Sequence, residues 1–175
     1  MDGNGRWAKS RGLPRLEGHR EGAKVVRDLT TYARELEIAF LTLYSFSVQN
    51  WNRPAAEIAG LMQLLEEYCE KERSTLMDNQ IRLHTIGDLS RLPPSTQSAL
   101  DKLKKDTVHH QKMRLTLALG YGGREEILHA VQCLYEQTRS LQEIDAAALG
   151  AHLYTRDMPD PDLLIRTSGE LRLSN

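Results

Sequence analysis

Apolar positions recur at helical spacing over residues 18–37, where Ala23, Val26, Leu29, Ala33 and Leu36 share one face. The pattern then changes period. Ile38 to Tyr44 is a continuous apolar run too short for a helix, which predicts a buried strand of a parallel sheet. Pro54 stands where a second helix would begin, and Ile58, Leu61, Met62, Leu65, Tyr68, Cys69 and Leu76 mark one face of it as far as Asn79. Ile81 to Gly87 reads as the next strand, Pro93-Pro94-Ser95 opens a helix reaching about Val108, and Met113 to Leu119 is a further strand. That strand runs into Gly120-Tyr121-Gly122-Gly123-Arg124 and a helix carrying Ile127, Val131 and Leu134, and Asp162 to Thr167 is predicted as the last strand.

Strands alternating with amphipathic helices from end to end define an α/β chain with a largely parallel central sheet flanked by helices. In such sheets ligands bind beyond the carboxyl ends of the strands. The loops expected there are Ser45 to Arg53, Gly87-Asp88, Gly120 to Arg124 and Ser168 to Asn175. Asp2 to Trp7 would join that rim only behind a preceding strand.

Length and composition bound the picture without choosing a chemistry. At 175 residues, 27% charged and 40% hydrophobic, the chain suits one globular domain. Cys69 and Cys133 lie far apart with no metal-type spacing and are expected to be reduced core or near-core thiols of a cytoplasmic protein. No signal peptide, spanning run or lipidation motif is evident, so any membrane contact is expected to be peripheral. A net charge of −1 and an aromatic content of 6% argue against a nucleic-acid partner.

Local charge is less even. Met1-Asp2-Gly3-Asn4-Gly5-Arg6-Trp7 places a carboxylate, turn residues and a guanidinium together, and Arg11, Arg15, His19 and Arg20 follow. Gly3 and Gly5 allow backbone N–H groups close to an anion, Asp2 can hold Mg²⁺, and Arg6 can bind phosphate oxygens bidentately. The same four residues after Met1 are also those of an ordinary surface turn. Arg166, Arg172 and Ser174 supply two more guanidinium forks and a hydroxyl at the opposite end of the chain. Two anion-binding clusters suggest two phosphorylated substrates. Asn50, Trp51 and Arg53 follow a strand directly and could orient reacting groups, although a Trp in such a loop more commonly packs. His84, His109, His110, His129 and His152 lack metal-ligand spacing and read as structural or exposed.

These residues resemble a known family, the cis-prenyltransferases, and specifically the undecaprenyl (di-trans,poly-cis) diphosphate synthase type. The matching stretches are Met1 to Ala8, Gly18-His19, Leu41 to Tyr44 with Phe46-Ser47, Asn50 to Pro54, Gly87-Asp88, Tyr121 to Arg124 and Asp162 to Asn175. The resemblance implies Mg²⁺-dependent condensation of isopentenyl diphosphate with an allylic diphosphate such as farnesyl diphosphate, each new double bond being cis. By it, Asp2 would assist departure of the allylic diphosphate, which Gly3, Asn4, Gly5, Arg6, Trp7, Arg15 and His19 would help bind. Arg166, Arg172 and Ser174 would hold isopentenyl diphosphate, with Asn50 as a catalytic residue among Ser47, Trp51 and Arg53. The growing lipid would lie in an apolar tunnel lined partly by the helices at 18–37 and 55–77.

The resemblance also implies a homodimer in the full-length protein and peripheral membrane contact through the lipid product. Relative to the family pattern, residues 1–175 are expected to be one domain without the usual first strand and without the strand and helices that follow Ser174-Asn175. Val48-Gln49 replaces the usual Ser-Glu, and Gly120 the usual Asn. A non-catalytic partner subunit or an inactive fragment is therefore an open alternative, against which the retention of Asp2, Arg6, Arg166 and Arg172 weighs.

Overall fold

The computed structural model describes residues 2–138 and 144–172. Its strands are β1 (Phe40–Ser47), β2 (Ile81–Ile86) and β3 (Met113–Tyr121), and its helices are α1 (Asn4–Lys9), α2 (Arg15–Glu35), α3 (Ala55–Lys71), α4 (Arg73–Asp78), α5 (Pro94–Thr107), α6 (Gly123–Thr138) and α7 (Ala146–His152). A 3₁₀ turn, Val48–Asn52, joins β1 to α3.

The sheet is parallel in the order β1-β3-β2, with Leu43 paired to Leu117 and Leu83 to Leu115. A central parallel strand is covered on both faces, and β3 carries buried residues at nearly every position. Leu115, Leu117 and Leu119 join one core with Val26 and Ala33 of α2, Met62 and Cys69 of α3, and Leu100 and Leu103 of α5. Thr116 and Ala118 alternate to the opposite face and are buried as well. The Thr116 hydroxyl lies 3.5 Å from the Met158 sulfur.

Two expectations need correction. The run from Ile38 does form a parallel strand, but β1 is an edge strand, and its burial alternates instead of being complete, with Phe40 exposed. Residues 162–167 form no strand and do not join the sheet, and Leu163, Leu164 and Ile165 are exposed. Apolar content made both segments resemble core strands. Burial depends on neighbours, and among the described residues β1 has a strand partner on one side only.

Smaller features fix the upper rim of the sheet. The helix expected from Pro54 to Asn79 is divided at Glu72 into α3 and α4. Glu72 is buried and takes a bidentate ion pair from Arg27, which ties the lower part of α2 to the α3–α4 junction. At the other end of α2, a Cβ on Gly18 would collide with the Asn4 carbonyl, so glycine there lets α1 lie against α2. Gly3 turns into α1 with φ +91°, a conformation that favours glycine.

Candidate active site

The two cationic ends of the chain meet. The Asp2 backbone N–H donates to Thr167 Oγ1 at 2.9 Å, and the Thr167 hydroxyl donates to the Asp2 carbonyl at 2.9 Å. Beside this clasp, Arg166 Nη2 donates to Asp2 Oδ2 at 3.0 Å, and Arg6 lies 3.7 Å from Asp2 Oδ1. Glu170 bridges the same region from outside, 3.0 Å from Arg6 and 3.1 Å from Arg172. Arg166 Nη1 also donates to the Arg172 carbonyl, which holds the last turn over the cavity.

A polar cavity of ≈ 410 Å³ opens here, lined by Asp2, Gly3, Asn4, Gly5, Arg6, Arg15, His19, Ser47, Asn50, Arg53, Arg166 and Arg172, with Tyr44, Ser45, Leu61, Leu164 and Ile165. Twelve of the residues proposed from sequence thus surround one space. The others do not line it. Trp7 is exposed on α1 with the Arg11 guanidinium 4.3 Å from its ring centroid. Trp51 packs edge-on to Phe46 at 4.8 Å under Arg91 and borders a different cavity, as a plug would. Ser174 lies outside the described residues.

Five arginines with one lining carboxylate make the cavity a receptor for anions. Asp2 is ionised: burial works to raise its pKa, but the hydrogen bonds from Arg166 and the Gly3 N–H and the charges of Arg166 and Arg6 hold it below the usual range. His19 is pushed below its ordinary value by burial first, then by Arg53 and Arg15, with Glu57 opposing. Its Nε2 is buried without a hydrogen-bond partner, so a neutral ring leaves one nitrogen unsatisfied inside an anion-binding cavity. A phosphate oxygen beside it would favour the protonated ring as donor.

Glu57, a residue that sequence reasoning passed over, organises the opposite wall. Its carboxylate accepts from Arg53 at 3.0 Å and lies 3.7 Å from Arg15, setting two guanidinium groups side by side. The only advance signal was the i,i+4 spacing of Arg53 and Glu57 across the start of α3. Asn50 caps the 3₁₀ turn. Its Oδ1 accepts from the Ser47 N–H at 3.0 Å, which leaves the NH₂ group as the half of the amide that can orient a ligand oxygen.

Below the polar cavity lies an apolar one of ≈ 110 Å³ between α2, α3 and the sheet. Asn4, His19, Ser45 and Leu61 line both, and Val26, Leu43, Leu65, Tyr68 and Leu117 lie further in. An arginine-rich head site continuing into a hydrocarbon-lined pocket, at the rim of a parallel α/β sheet, defines a binder of amphiphiles with an anionic head.

Among the described residues no three His, Cys, Asp or Glu side chains converge as a metal cage. The lone Asp2 fits a different metal. Mg²⁺ commonly takes one or two carboxylates and completes its octahedron with water and substrate phosphates, so the single carboxylate of this cavity can serve it.

The relatives of the chain identify the amphiphile-handling class more closely. Residues 1–175 match the family model described as "Putative undecaprenyl diphosphate synthase", and the chain belongs to that family of isoprenyl transferases. It is 46% identical to the isoprenyl transferase of Bacillus subtilis strain 168, over all of this chain and 69% of that protein. It is 45% identical to the ditrans,polycis-undecaprenyl-diphosphate synthase ((2E,6E)-farnesyl-diphosphate specific) of Micrococcus luteus, over all of this chain and 72% of that one. The crystal structure of lavandulyl diphosphate synthase from Lavandula x intermedia in complex with dimethylallyl diphosphate superposes with a TM-score of 0.95, at 37% identity over all of this chain and 78% of that chain. No helix among the described residues is long and apolar enough to cross a membrane.

Proposed function

We propose that this chain condenses isopentenyl diphosphate with an allylic diphosphate, forming a cis-prenyl diphosphate. The observation that carries the reading is the continuity of the arginine-lined cavity with the apolar pocket beneath it. Gly3, Asn4, Gly5, Arg6, Arg15 and His19 hold the allylic diphosphate, whose tail enters between α2 and α3. Arg166 and Arg172, with Ser174, hold isopentenyl diphosphate, and Asn50 and Arg53 orient the two heads. The allylic C–O bond breaks with its electron pair leaving on the diphosphate, the isopentenyl double bond attacks the resulting cation, and the adduct then loses a proton to the released diphosphate, forming the new double bond.

The protein's own part in that sequence is electrostatic. Arginine guanidinium groups stabilise the charge that develops on the departing diphosphate, and the apolar walls keep water from the cation. Mg²⁺, when bound at Asp2, supplies further neutralisation of the leaving group. Homodimer formation and peripheral membrane contact belong to the same proposal, supported by the exposed Leu163, Leu164 and Ile165.

The test is incorporation of radiolabelled isopentenyl diphosphate into extractable lipid with an allylic diphosphate and Mg²⁺. Incorporation should require Mg²⁺ and vanish in Asp2→Ala, whose circular dichroism should stay native. Equal incorporation by that variant would refute the assignment.

A further inference from the structure

We infer that Ser45 is a catalytic residue of the reaction proposed above, its hydroxyl oxygen facing the allylic carbon and stabilising the cation that forms there; the inference rests on that function.

The position follows from the two cavities. Asn4, His19, Ser45 and Leu61 line both of them and so form the neck between head site and hydrocarbon pocket. With the diphosphate among the arginines and the tail in the apolar pocket, the carbon whose C–O bond breaks lies at that neck. Asn4 and His19 serve the head and Leu61 the tail. The Ser45 hydroxyl is the neck group left without a task.

The backbone places it there. Tyr44 pairs with Ala118 of β3 and Phe46 with the next residue, Leu119, so Ser45 is an extra residue in β1, a β-bulge. Through the bulge Leu43 and Phe46, three positions apart, both enter the same core, and Ser45 between them borders the cavities on the α2–α3 side.

The sense of the hydroxyl is fixed as well. It donates to the Leu43 carbonyl at 3.2 Å, and a carbonyl can only accept, so the single proton of Ser45 is spent on the strand. Lone pairs are what the oxygen has left to offer the neck. An acceptor oxygen repels a diphosphate and attracts positive charge. It therefore keeps the head with the arginines and presents the negative end of a dipole to the carbon as that carbon becomes cationic, already oriented before the bond breaks. The proton stays on the hydroxyl, and no bond to the cation forms.

The test is a single-turnover measurement, which separates chemistry from product release, with isopentenyl diphosphate, Mg²⁺ and dimethylallyl or farnesyl diphosphate, whichever wild type consumes faster. Wild type, Ser45→Ala and Ser45→Thr are compared, beside calorimetric binding of the matching non-hydrolysable S-thiolodiphosphate. Ser45→Ala should react roughly tenfold more slowly, less than the hundredfold or more that loss of an oxyanion-hole donor costs, because one neutral hydroxyl is the weaker partner. Its affinity for the analogue should match wild type, and Ser45→Thr, which keeps the hydroxyl on a side chain suited to a strand, should recover most of the rate. A Ser45→Ala rate equal to wild type, a fall in rate matched by the same fall in affinity, or a threonine variant as slow as the alanine one would overturn the inference and leave the function standing. Failure of wild type to consume either allylic diphosphate would overturn the function, and the inference with it. Should Ser45→Ala not fold, Ser45→Cys sets a poorer acceptor in the same place and must show the slower step; a wild-type rate there would again overturn the inference.

Discussion

Arg166→Ala tests the clasp between the two ends of the chain. In the structure Arg166 is committed to Asp2 at 3.0 Å, with side-chain exposures of 21% and 35% for the two partners. A half-shielded pair of this kind is worth at most about 1 kcal/mol. A hydrogen bond from the same guanidinium to a diphosphate is worth about 1.5 to 3 kcal/mol. Binding therefore exchanges the weaker contact for the stronger one, and deletion of Arg166 should cost about 1.5 kcal/mol, roughly tenfold in Kd for isopentenyl diphosphate. Isothermal calorimetry on wild type, Arg166→Ala and Arg166→Lys measures it directly. Lysine keeps the charge but not the fork and should recover only part of the loss. Affinity of Arg166→Ala within twofold of wild type would show that Arg166 only neutralises Asp2, and the proposed isopentenyl site would be wrong.

Two further outcomes follow from the geometry of α2. Gly18→Ala drives a Cβ into the Asn4 carbonyl and should lower stability by about 1–3 kcal/mol, seen as a lower Tm; an unchanged melt would mean that α1 need not lie against α2. Burial holds His19 below the ordinary histidine value of about 6.5, so its contribution to stability is complete above that pH and is lost as pH falls from there through the native value. A bound diphosphate reverses the preference. Binding near that pH should take up protons, and calorimetric enthalpies in buffers of different ionisation heat should reveal the uptake in wild type and not in His19→Gln. Equal uptake in both would place the proton elsewhere.

Much of this architecture was legible in sequence because period carries it. The stripe on α2, the Pro54 and Pro94 helix starts and the apolar runs of β2 and β3 each state a local preference that packing reinforces. What period cannot report is the number of neighbours a strand has. Ile38 to Tyr44 and Asp162 to Thr167 share the apolar content of interior strands, yet one lies at an edge and the other outside the sheet. The site divides the same way. Asp2, Arg6, Arg166 and Arg172 announced their chemistry by type, and the fold brought them together across the length of the chain. Residue type does not mark Glu57 and Glu170, because their role is to position arginines and appears only when those arginines are in place.

A crystal structure with an allylic thiolodiphosphate and Mg²⁺ would show whether the diphosphate head sits among the arginines with its tail between α2 and α3. Diphosphate oxygens should lie within hydrogen-bonding distance of Arg6, Arg15 and His19, with the metal on Asp2 and the tail directed between α2 and α3. A diphosphate bound outside the cavity that joins Asp2 to Arg172, or a tail directed away from α3, would contradict it.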